Sequence, residues 1–313
     1  MIAADLRASL AAFPGATVEP AGAGDYCWAF VVDGAWIFLV ARHPEGERSI
    51  ARAAALLPAL APALPLAIPD IAHTGRTGGG RAFVGYRKVG GVELTGARYR
   101  ELGRAARDRC ARDLARFLGA LHQFPPDVAR GRGIIPCPYP FAAIEEGLRA
   151  GTAEEEYGRD LERLLGAGVL DRGTGDYCRR ILAAHLEDRR NPEIRPVLLH
   201  GEVSGDHVLH DLQTGELTGV IDFNGLIIGD PARDLLYLYE DYGLPFLATF
   251  LRHYPVADRR HVLARLHFFH EWMTALRLLW VVEHNHPQRV APRLQRLRAL
   301  REVSAAPPWW AIA

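Results

Sequence analysis

The hydrophobic pattern of this sequence changes at Gly90-Gly91, from strand-like runs to helical periodicity. Before that pair, two apolar runs flank Asp33-Gly34, a dipeptide that is typical of a tight hairpin turn. A chain that forms strands first and helices afterwards is predicted to adopt an α+β fold. We therefore expect a small β-rich N-terminal lobe over residues 1–89 and a larger helical lobe over residues 90–313.

The second part of the chain shows clear helical periodicity. Leu114, Phe117, Leu118 and Leu121 recur at the spacing of one helix face, and Pro125-Pro126 ends the run. The other predicted elements are strands at Arg81–Arg87, Val208-Leu209 and Leu217–Ile221, and helices over Ser49–Leu60, Glu154–Leu165, Asp176–Leu186 and from about Ala232 through Val282 to Arg301.

Charge and cysteine content narrow the possible partners and compartments. The 313 residues carry 37 basic and 37 acidic side chains, so charge gives no case for nucleic acid or an anionic membrane as a partner. The four cysteines lie far apart and form no C-x-x-C pair, which fits a reduced cytosol. No apolar stretch reaches the roughly 20 residues of a membrane span, and no secretory signal is visible. We expect a cytoplasmic protein.

The residues that carry chemistry are concentrated in one segment, residues 200–234. The polar loop H-G-E-V-S-G-D-H precedes an apolar hairpin that ends in Asp222, an arrangement suited to metal binding and acid–base catalysis. Asp230 and Asp234 surround the start of a predicted helix, so we interpret them as capping and bracing residues. A zinc site formed by three histidines is also open at this point: His200, His207 and His210.

This segment resembles the catalytic core of the aminoglycoside phosphotransferase family. The family motif H-G-D-x-x-x-x-N corresponds to H-G-E-V-S-G-D-H, and its later motifs correspond to I-D-F-N and G-D-P-A-R-D-L. The stretches R-A-F-V-G-Y-R-K-V-G-G-V-E-L-T and D-L-L-Y-L-Y-E-D-Y-G are similar to the hinge and the following helix of the 2''-phosphotransferase branch. The resemblance implies a two-lobed, protein-kinase-like fold. It also implies transfer of a phosphoryl group from ATP or GTP, with Mg²⁺, to a hydroxyl of a polar, aminoglycoside-like small molecule.

By position, the resemblance gives each candidate residue a role. Glu202 corresponds to the base that orients the acceptor hydroxyl, and His207 and Asp222 correspond to the metal-binding residues. Gly22 and Gly24 correspond to the hairpin that covers the phosphates. The hinge that receives the nucleotide base corresponds to Gly85, Tyr86, Arg87 and Lys88, and the candidate carboxylates for a cationic acceptor are Asp206, Glu240, Asp241 and Glu271.

Several family positions carry a different residue here. Glu202 replaces an aspartate, and its extra methylene moves the carboxylate by roughly 1.5 Å. Leu39 and Ala53 stand where the family has a lysine that holds the phosphates and the glutamate that pairs with it. A joint loss is physically reasonable because either charge alone would lack its partner. Arg42 is the candidate replacement, although strand alternation places it on the opposite face from Leu39.

Two family glycines are also replaced, by Cys27 in the hairpin and by Asn224 after Asp222. Three functions therefore remain open: a phosphotransferase, a kinase-fold protein that binds a ligand without transferring phosphate, and an enzyme with another reaction in the same cleft. The retained carboxylates of Glu202 and Asp222 favour the first, and the missing lysine and glutamate favour the second. The sequence does not indicate the acceptor, the choice between ATP and GTP, or the oligomeric state.

Overall fold

The structure is a computed structural model that describes residues 2–136 and 153–303. By the contacts between its residues the chain divides into two compact units. The first unit comprises Met1–Pro136, Val197–Ile228 and Tyr237–Pro255, and the second comprises Cys137–Pro196, Gly229–Leu236 and Val256–Ala313. The predicted lobe boundary between residues 89 and 90 was based on the change in sequence pattern, whereas the two units are defined by contacts. The boundary stays a prediction.

The first unit begins with a five-stranded antiparallel sheet, in the order β1-β2-β3-β5-β4. Its elements are α1 (Ile2–Ser9), β1 (Val18–Ala23), β2 (Cys27–Val32), β3 (Trp36–Ala41), α2 (Pro44–Leu60), β4 (Ile71–Arg76) and β5 (Ala82–Arg87). The predicted hairpin at Asp33-Gly34 is confirmed, and both residues have the positive φ that such a turn requires. The helix α1 and the strand β4 were not predicted.

Helix α2 begins at Pro44, five residues before the predicted start at Ser49. The side chain of His43 caps the helix, because its Nδ1 accepts a hydrogen bond from the Gly46 main-chain nitrogen at 3.3 Å. Proline follows at the first helical position, where its missing N–H group is not needed. Histidine is not among the usual N-cap residues, so this start gives no clear signal in the sequence.

The two faces of the sheet bury different sets of side chains. One face packs Phe38 and Val40 into a core with Leu6 and Leu10 from the N-terminal part of the chain. The other face packs Cys27, Ala41 and Val84, with Leu39 partly buried beside them, against Ile50 and Ala54 of α2. The alternation of strand residues therefore puts Leu39 on the side of α2.

The remaining elements are β6 (Val92–Glu93), α3 (Gly96–Glu101), α4 (Arg104–Gln123), α5 (Pro126–Gly131), α6 (Ala153–Gly166), α7 (Arg172–Glu187), β7 (Val197–Leu199), β8 (Val208–His210), β9 (Leu217–Val220), β10 (Ile227–Gly229), α8 (Leu235–His253), α9 (Arg259–Glu283) and α10 (Pro287–Val303). Strands β6, β8 and β9 form a three-stranded antiparallel sheet, and β7 pairs with β10. Helix α8 is kinked at Gly243, whose φ is 77°, two residues before Pro245.

The second unit is built around α9, which is buried along most of its length. Helices α6, α7 and α10 pack on it. Its core includes Trp272 and Phe268, and the ring of His185 stacks on Phe268 at 3.6 Å between centroids. None of the helices in the described part of the chain combines the length and the apolar character that a membrane span requires.

Two buried histidines of the first unit differ in their hydrogen bonds. His210 on β8 is 2% exposed, and among the described residues neither of its ring nitrogens has a hydrogen-bond partner. His122 on α4 is 8% exposed, and its Nδ1 lies 2.6 Å from the Tyr254 hydroxyl. A buried polar group without a partner destabilises the folded state.

We expect His210→Leu to raise the free energy of unfolding by about 1 kcal/mol, because it removes two unpartnered polar atoms of a buried side chain. The matched variant His122→Leu should lower it by about 1–2 kcal/mol, because the Tyr254 hydroxyl loses this hydrogen bond. Urea denaturation at pH 7 measures both. Destabilisation of equal size in the two variants would show that His210 has a partner.

Candidate active site

Two main-chain segments of the first unit meet closely at Gly201 and Gly225. Gly201 has a φ of 88°, in the region that favours glycine, and a Cβ atom there would lie 2.1 Å from the Gly225 carbonyl oxygen. No other residue fits without moving the backbone. The loop that begins at His200 therefore lies directly against the turn that follows Asp222.

His200 fixes the main chain of Glu202. The imidazole is fully buried, and its Nε2 donates to the carbonyl oxygen of Ile221 at 3.1 Å, since a carbonyl can only accept. Its Nδ1 accepts from the Glu202 main-chain nitrogen at 3.3 Å. Both ring nitrogens are engaged in a neutral tautomer, so His200 connects the catalytic-loop candidate to the end of β9.

His207 connects Glu202 to Asp222. Its Nδ1 donates to the Glu202 carbonyl oxygen at 2.7 Å, and its Nε2 lies 3.4 Å from Asp222 Oδ2. In the neutral ring the lone pair is then on Nε2, beside a carboxylate oxygen. A cation or a proton held between these two atoms would stabilise this arrangement.

The described residues contain no group of three or more His, Cys, Asp or Glu side chains placed to hold a metal ion. The alternative of a zinc site formed by His200, His207 and His210 is not supported, because His200 uses both nitrogens on the protein and His210 is buried in β8. Asp222 and His207 form a pair, which is sufficient for a cation whose other ligands come from phosphate and water.

Asp222 has an unusual main-chain conformation, with φ 63° and ψ 63°. This left-handed conformation is unfavourable for a residue with a side chain and persists where its surroundings hold it. Asn224 supplies part of that support, since its Nδ2 donates to Asp222 Oδ1 at 2.7 Å and its main-chain nitrogen lies 3.4 Å from the same oxygen. The second carboxylate oxygen, Oδ2, is the one near His207.

The side chain of Glu202 lies against Gly225. A Cβ atom at Gly225 would be 3.1 Å from Glu202 Cγ and 3.5 Å from its Cδ, so the absence of a side chain leaves room for the longer carboxylate. Burial raises the pKa of the phenol of Tyr26, in the turn between β1 and β2, and the nearby charge of Glu202 raises it further. Tyr26 was not among the predicted site residues.

Gly22 lies near the end of β1, with a φ of 148°, and Gly24 lies in the turn between β1 and β2; both are exposed. Two side chains hold this turn to the start of α2. The Arg42 guanidinium donates to the Gly24 carbonyl oxygen, and His43 Nε2 donates to the Asp25 carbonyl oxygen at 3.0 Å. These two hydrogen bonds therefore hold the turn of the predicted phosphate-covering hairpin in place.

Arg42 also lies over the ring of Trp28, 5.5 Å from its centroid. Trp28 packs toward the core formed with α1, whereas Leu39 packs with α2, so the two faces expected from strand alternation are observed. The position of the family lysine is occupied by Leu39 in an apolar cluster, and Ala53, at the glutamate position, is 5% exposed.

The hinge candidates lie on and just after β5. Gly85 pairs with Phe38, and a Cβ atom there would lie 2.4 Å from the Phe38 ring. Tyr86 is buried, and its pKa is raised mainly by burial and further by the charge of Asp222. Arg87 covers the Trp36 ring at 4.8 Å, and Lys88 is exposed.

Three of the four predicted acceptor carboxylates lie near one another in the first unit. Asp241 Oδ2 accepts from the Gly205 main-chain nitrogen at 2.6 Å, which joins α8 to the loop that carries His207. The pKa of Asp241 is raised by burial, and the charges of Asp206 and Glu240 raise it further. The arrangement concentrates negative charge beside the loop.

Glu271 lies in the second unit and is 3% exposed. The Tyr177 hydroxyl donates to its Oε1 at 2.7 Å, and His267 Nε2 lies 3.4 Å from the same oxygen. The carboxylate therefore already holds side chains of its own unit, and its role toward an acceptor stays a prediction.

The predicted family is confirmed by comparison with known proteins. The sequence model of the phosphotransferase enzyme family, APH, matches residues 20–269. The chain belongs to this family, whose members are enzymes that transfer phosphoryl groups.

Solved structures of similar proteins confirm the predicted fold. The GDP complex of wild-type aminoglycoside 2'-phosphotransferase-IIIa has 26% identity and a TM-score of 0.82, covering 92% of this chain and 93% of that chain. The GDP and kanamycin complex of APH(2'')-IIIa has 26% identity and a TM-score of 0.81 over 91% and 93% of the two chains. Macrolide 2'-phosphotransferase MphH from Brachybacterium faecium shares the fold at 22% identity, with a TM-score of 0.66 over 93% and 98%.

We expect the Asp241→Asn variant to be more stable than the wild type at pH 7. A raised pKa means that the folded state disfavours the ionised carboxylate, so ionisation above the usual pKa of 3.8 lowers stability. The gain should disappear as the pH falls to about 4, where the unfolded chain also takes up the proton. Urea denaturation at the two pH values measures the difference.

The control is Asp211→Asn, for which the opposite sign is expected. Asp211 Oδ1 accepts main-chain hydrogen bonds from Gln213 and Thr214, and these lower its pKa. Its ionised form stabilises the fold above the usual pKa, so the variant should be less stable at pH 7 and equal to the wild type at low pH. A change of the same sign in both variants would contradict this account.

Proposed function

We propose that this enzyme transfers the γ-phosphoryl group of ATP or GTP to a hydroxyl of a polar, positively charged small molecule of the aminoglycoside kind. The observation that supports this most is the set of contacts that joins Glu202, His207 and Asp222 through the Glu202 carbonyl oxygen and the Asp222 carboxylate. The comparisons give no support to the two alternative functions. The cytoplasmic location and the absence of nucleic-acid and membrane partners stay predictions.

Asp222 and His207 are the residues that would hold Mg²⁺. The carboxylate supplies the oxygen ligand that Mg²⁺ prefers, and Nδ1–H donation to a carbonyl leaves Nε2 of His207 as a ligand or as a hydrogen-bond partner of a bound water. When bound there, Mg²⁺ would neutralise charge on the transferred phosphoryl group.

Glu202 is the proposed base. The acceptor oxygen attacks the γ-phosphorus, the bond from that phosphorus to the β–γ bridging oxygen breaks, and Glu202 accepts the hydroxyl proton. His200 and His207 hold the Glu202 main chain from two sides, and the space left by Gly225 accommodates the side chain. In this proposal the site is adjusted to the longer side chain of Glu202, which keeps the catalytic role of the family aspartate.

The nucleotide would be held by the β1–β2 turn over its phosphates and by residues 85–88 at its base. Solved relatives at 26% identity are complexes with GDP, which makes GTP the first nucleotide to test. Because Arg42 bonds the Gly24 carbonyl oxygen, its contribution would be to shape the turn, and Leu39 leaves the phosphates without the family lysine.

Asp206, Glu240 and Asp241 would bind the ammonium groups of the acceptor. Carboxylates that raise one another's pKa gain from a nearby cation, which removes their mutual repulsion. The relative of known structure that holds kanamycin beside GDP supports an aminoglycoside as the first acceptor to test.

We expect Glu202→Gln to lower kcat by about 100-fold or more, because the amide keeps the length but cannot accept the proton. Glu202→Asp should also lower kcat by about 100-fold, since the carboxylate is withdrawn by more than 1 Å from a site adjusted to glutamate. The measurement is the release of GDP from GTP, or of ADP from ATP, with kanamycin and with other hydroxylated acceptors. Glu101→Gln, at the exposed end of α3, is the control. An unchanged kcat in Glu202→Gln would reject Glu202 as the base.

For the acceptor site we expect Glu240→Gln to raise the KM for kanamycin several-fold while the KM for the nucleotide stays unchanged, because one attractive charge toward a cation is lost. The wild-type KM should rise with ionic strength, and the KM of the variant should rise less steeply, because Asp206 and Asp241 still attract the cation. An unchanged KM for every cationic acceptor, in a variant of wild-type stability, would place the acceptor elsewhere.

A further inference from the structure

Helix α2 is joined to the turn that carries Asp222 by one buried hydroxyl group. Ser49 is 2% exposed, and its Oγ donates to the Asn224 main-chain oxygen at 2.7 Å. The same Oγ lies 3.4 Å from Asn224 Oδ1. Both elements belong to the first unit, and α2 packs on the 3₁₀ turn Phe223–Gly225.

The side chain of Asn224 continues this connection to the carboxylate. Its Nδ2 donates to Asp222 Oδ1 at 2.7 Å, which requires the amide oxygen to face the Ser49 hydroxyl. The reverse orientation would put an amide oxygen against a carboxylate oxygen. One arrangement therefore satisfies Ser49, Asn224 and Asp222 together.

These contacts fix which oxygen of Asp222 is available. Oδ1 is occupied by Asn224, and Oδ2 remains on the side of His207 Nε2. The left-handed main-chain conformation of Asp222 also needs support from its neighbours, and the Asn224 contacts supply it. The orientation of the carboxylate thus depends on Asn224, and the position of Asn224 depends on Ser49.

The connection carries no net charge. Ala53 lies one helical turn after Ser49 on the same face of α2, and Leu39 faces that helix from β3. An ion pair between these two positions cannot form. A hydroxyl and an amide need no counter-charge, so they can hold the helix to the turn inside an apolar region.

We propose that Ser49 and Asn224 are positioning residues that orient the Asp222 carboxylate toward a divalent cation. The inference rests on the proposed function, because it takes Asp222 to be the metal-binding residue. Residues that hold a metal ligand in place typically change metal affinity by roughly 10- to 100-fold when they are removed.

The test is the affinity of the purified full chain for Mn²⁺, measured by electron paramagnetic resonance with and without GDP, for the wild type, Ser49→Ala, Asn224→Ala and Asp222→Asn. Ser9→Ala is the matched control, because Ser9 Oγ donates to the Asp5 carbonyl oxygen at 2.8 Å in α1, away from the site. Circular dichroism and thermal unfolding establish that each variant is folded.

We expect Ser49→Ala and Asn224→Ala to weaken Mn²⁺ binding by about tenfold or more, and Ser9→Ala to leave it unchanged. The double variant Ser49→Ala/Asn224→Ala should lose less than the product of the two single losses, because the contact between Ser49 Oγ and the Asn224 side chain is lost in either single variant. Asn224→Asp has the same size as the wild-type residue but places a second carboxylate beside Asp222. In the absence of Mn²⁺ this variant should bind GDP poorly, and its affinity for Mn²⁺ should stay below that of the wild type.

Wild-type Mn²⁺ affinity in Ser49→Ala and Asn224→Ala, together with its loss in Asp222→Asn, would overturn the positioning role and leave the proposed metal site intact. Wild-type affinity in Asp222→Asn as well would overturn both. If Asn224→Ala does not fold, the Ser49→Ala variant decides, since it removes only one oxygen atom from α2.

Discussion

The arrangement of the active site depends on the contact between two main-chain segments at Gly201 and Gly225. A Cβ atom on Gly201 would lie 2.1 Å from the opposing carbonyl oxygen, so this approach is possible only for glycine. It brings the loop with Glu202 and His207 against the turn with Asp222. Every later feature of the site, from the imidazole contacts to the space beside Glu202, follows from the distance that this contact sets between the two segments.

Periodicity was sufficient to predict most of the first sheet and the long helices, because each is a local pattern of apolar residues. The hairpin at Asp33-Gly34 and the strand at Arg81–Arg87 are examples, since β5 spans Ala82–Arg87. The start of α2 was missed because its cap is a histidine. Helix α1 was missed because it has only 8 residues, and β4 because few of its residues are apolar. The family was predicted from short motifs in residues 200–234 that follow one another in a fixed order.

Residues of the site could be predicted from the sequence only where they occupy a position of a family motif. His207 connects the main-chain carbonyl oxygen of Glu202 to the Asp222 carboxylate, so the three predicted residues lie together. Ser49 gave no signal, because the contact with Asn224 joins residues 175 positions apart. Asn224 did give one: an amide that replaces a family glycine next to a carboxylate offers a donor that glycine lacks. A residue that departs from a family motif can thus indicate a contact that the usual residue would not make.

The apolar surroundings of Leu39 also restrict the mutational routes open to this sequence during evolution. A lysine at position 39 alone would lie in a partly buried site without a carboxylate opposite it, since Ala53 faces it. A glutamate at position 53 alone would place a charge at a buried position, where it is more costly still. Each single change toward the charged pair is therefore unfavourable by itself, so the neutral pair is expected to be inherited as a unit.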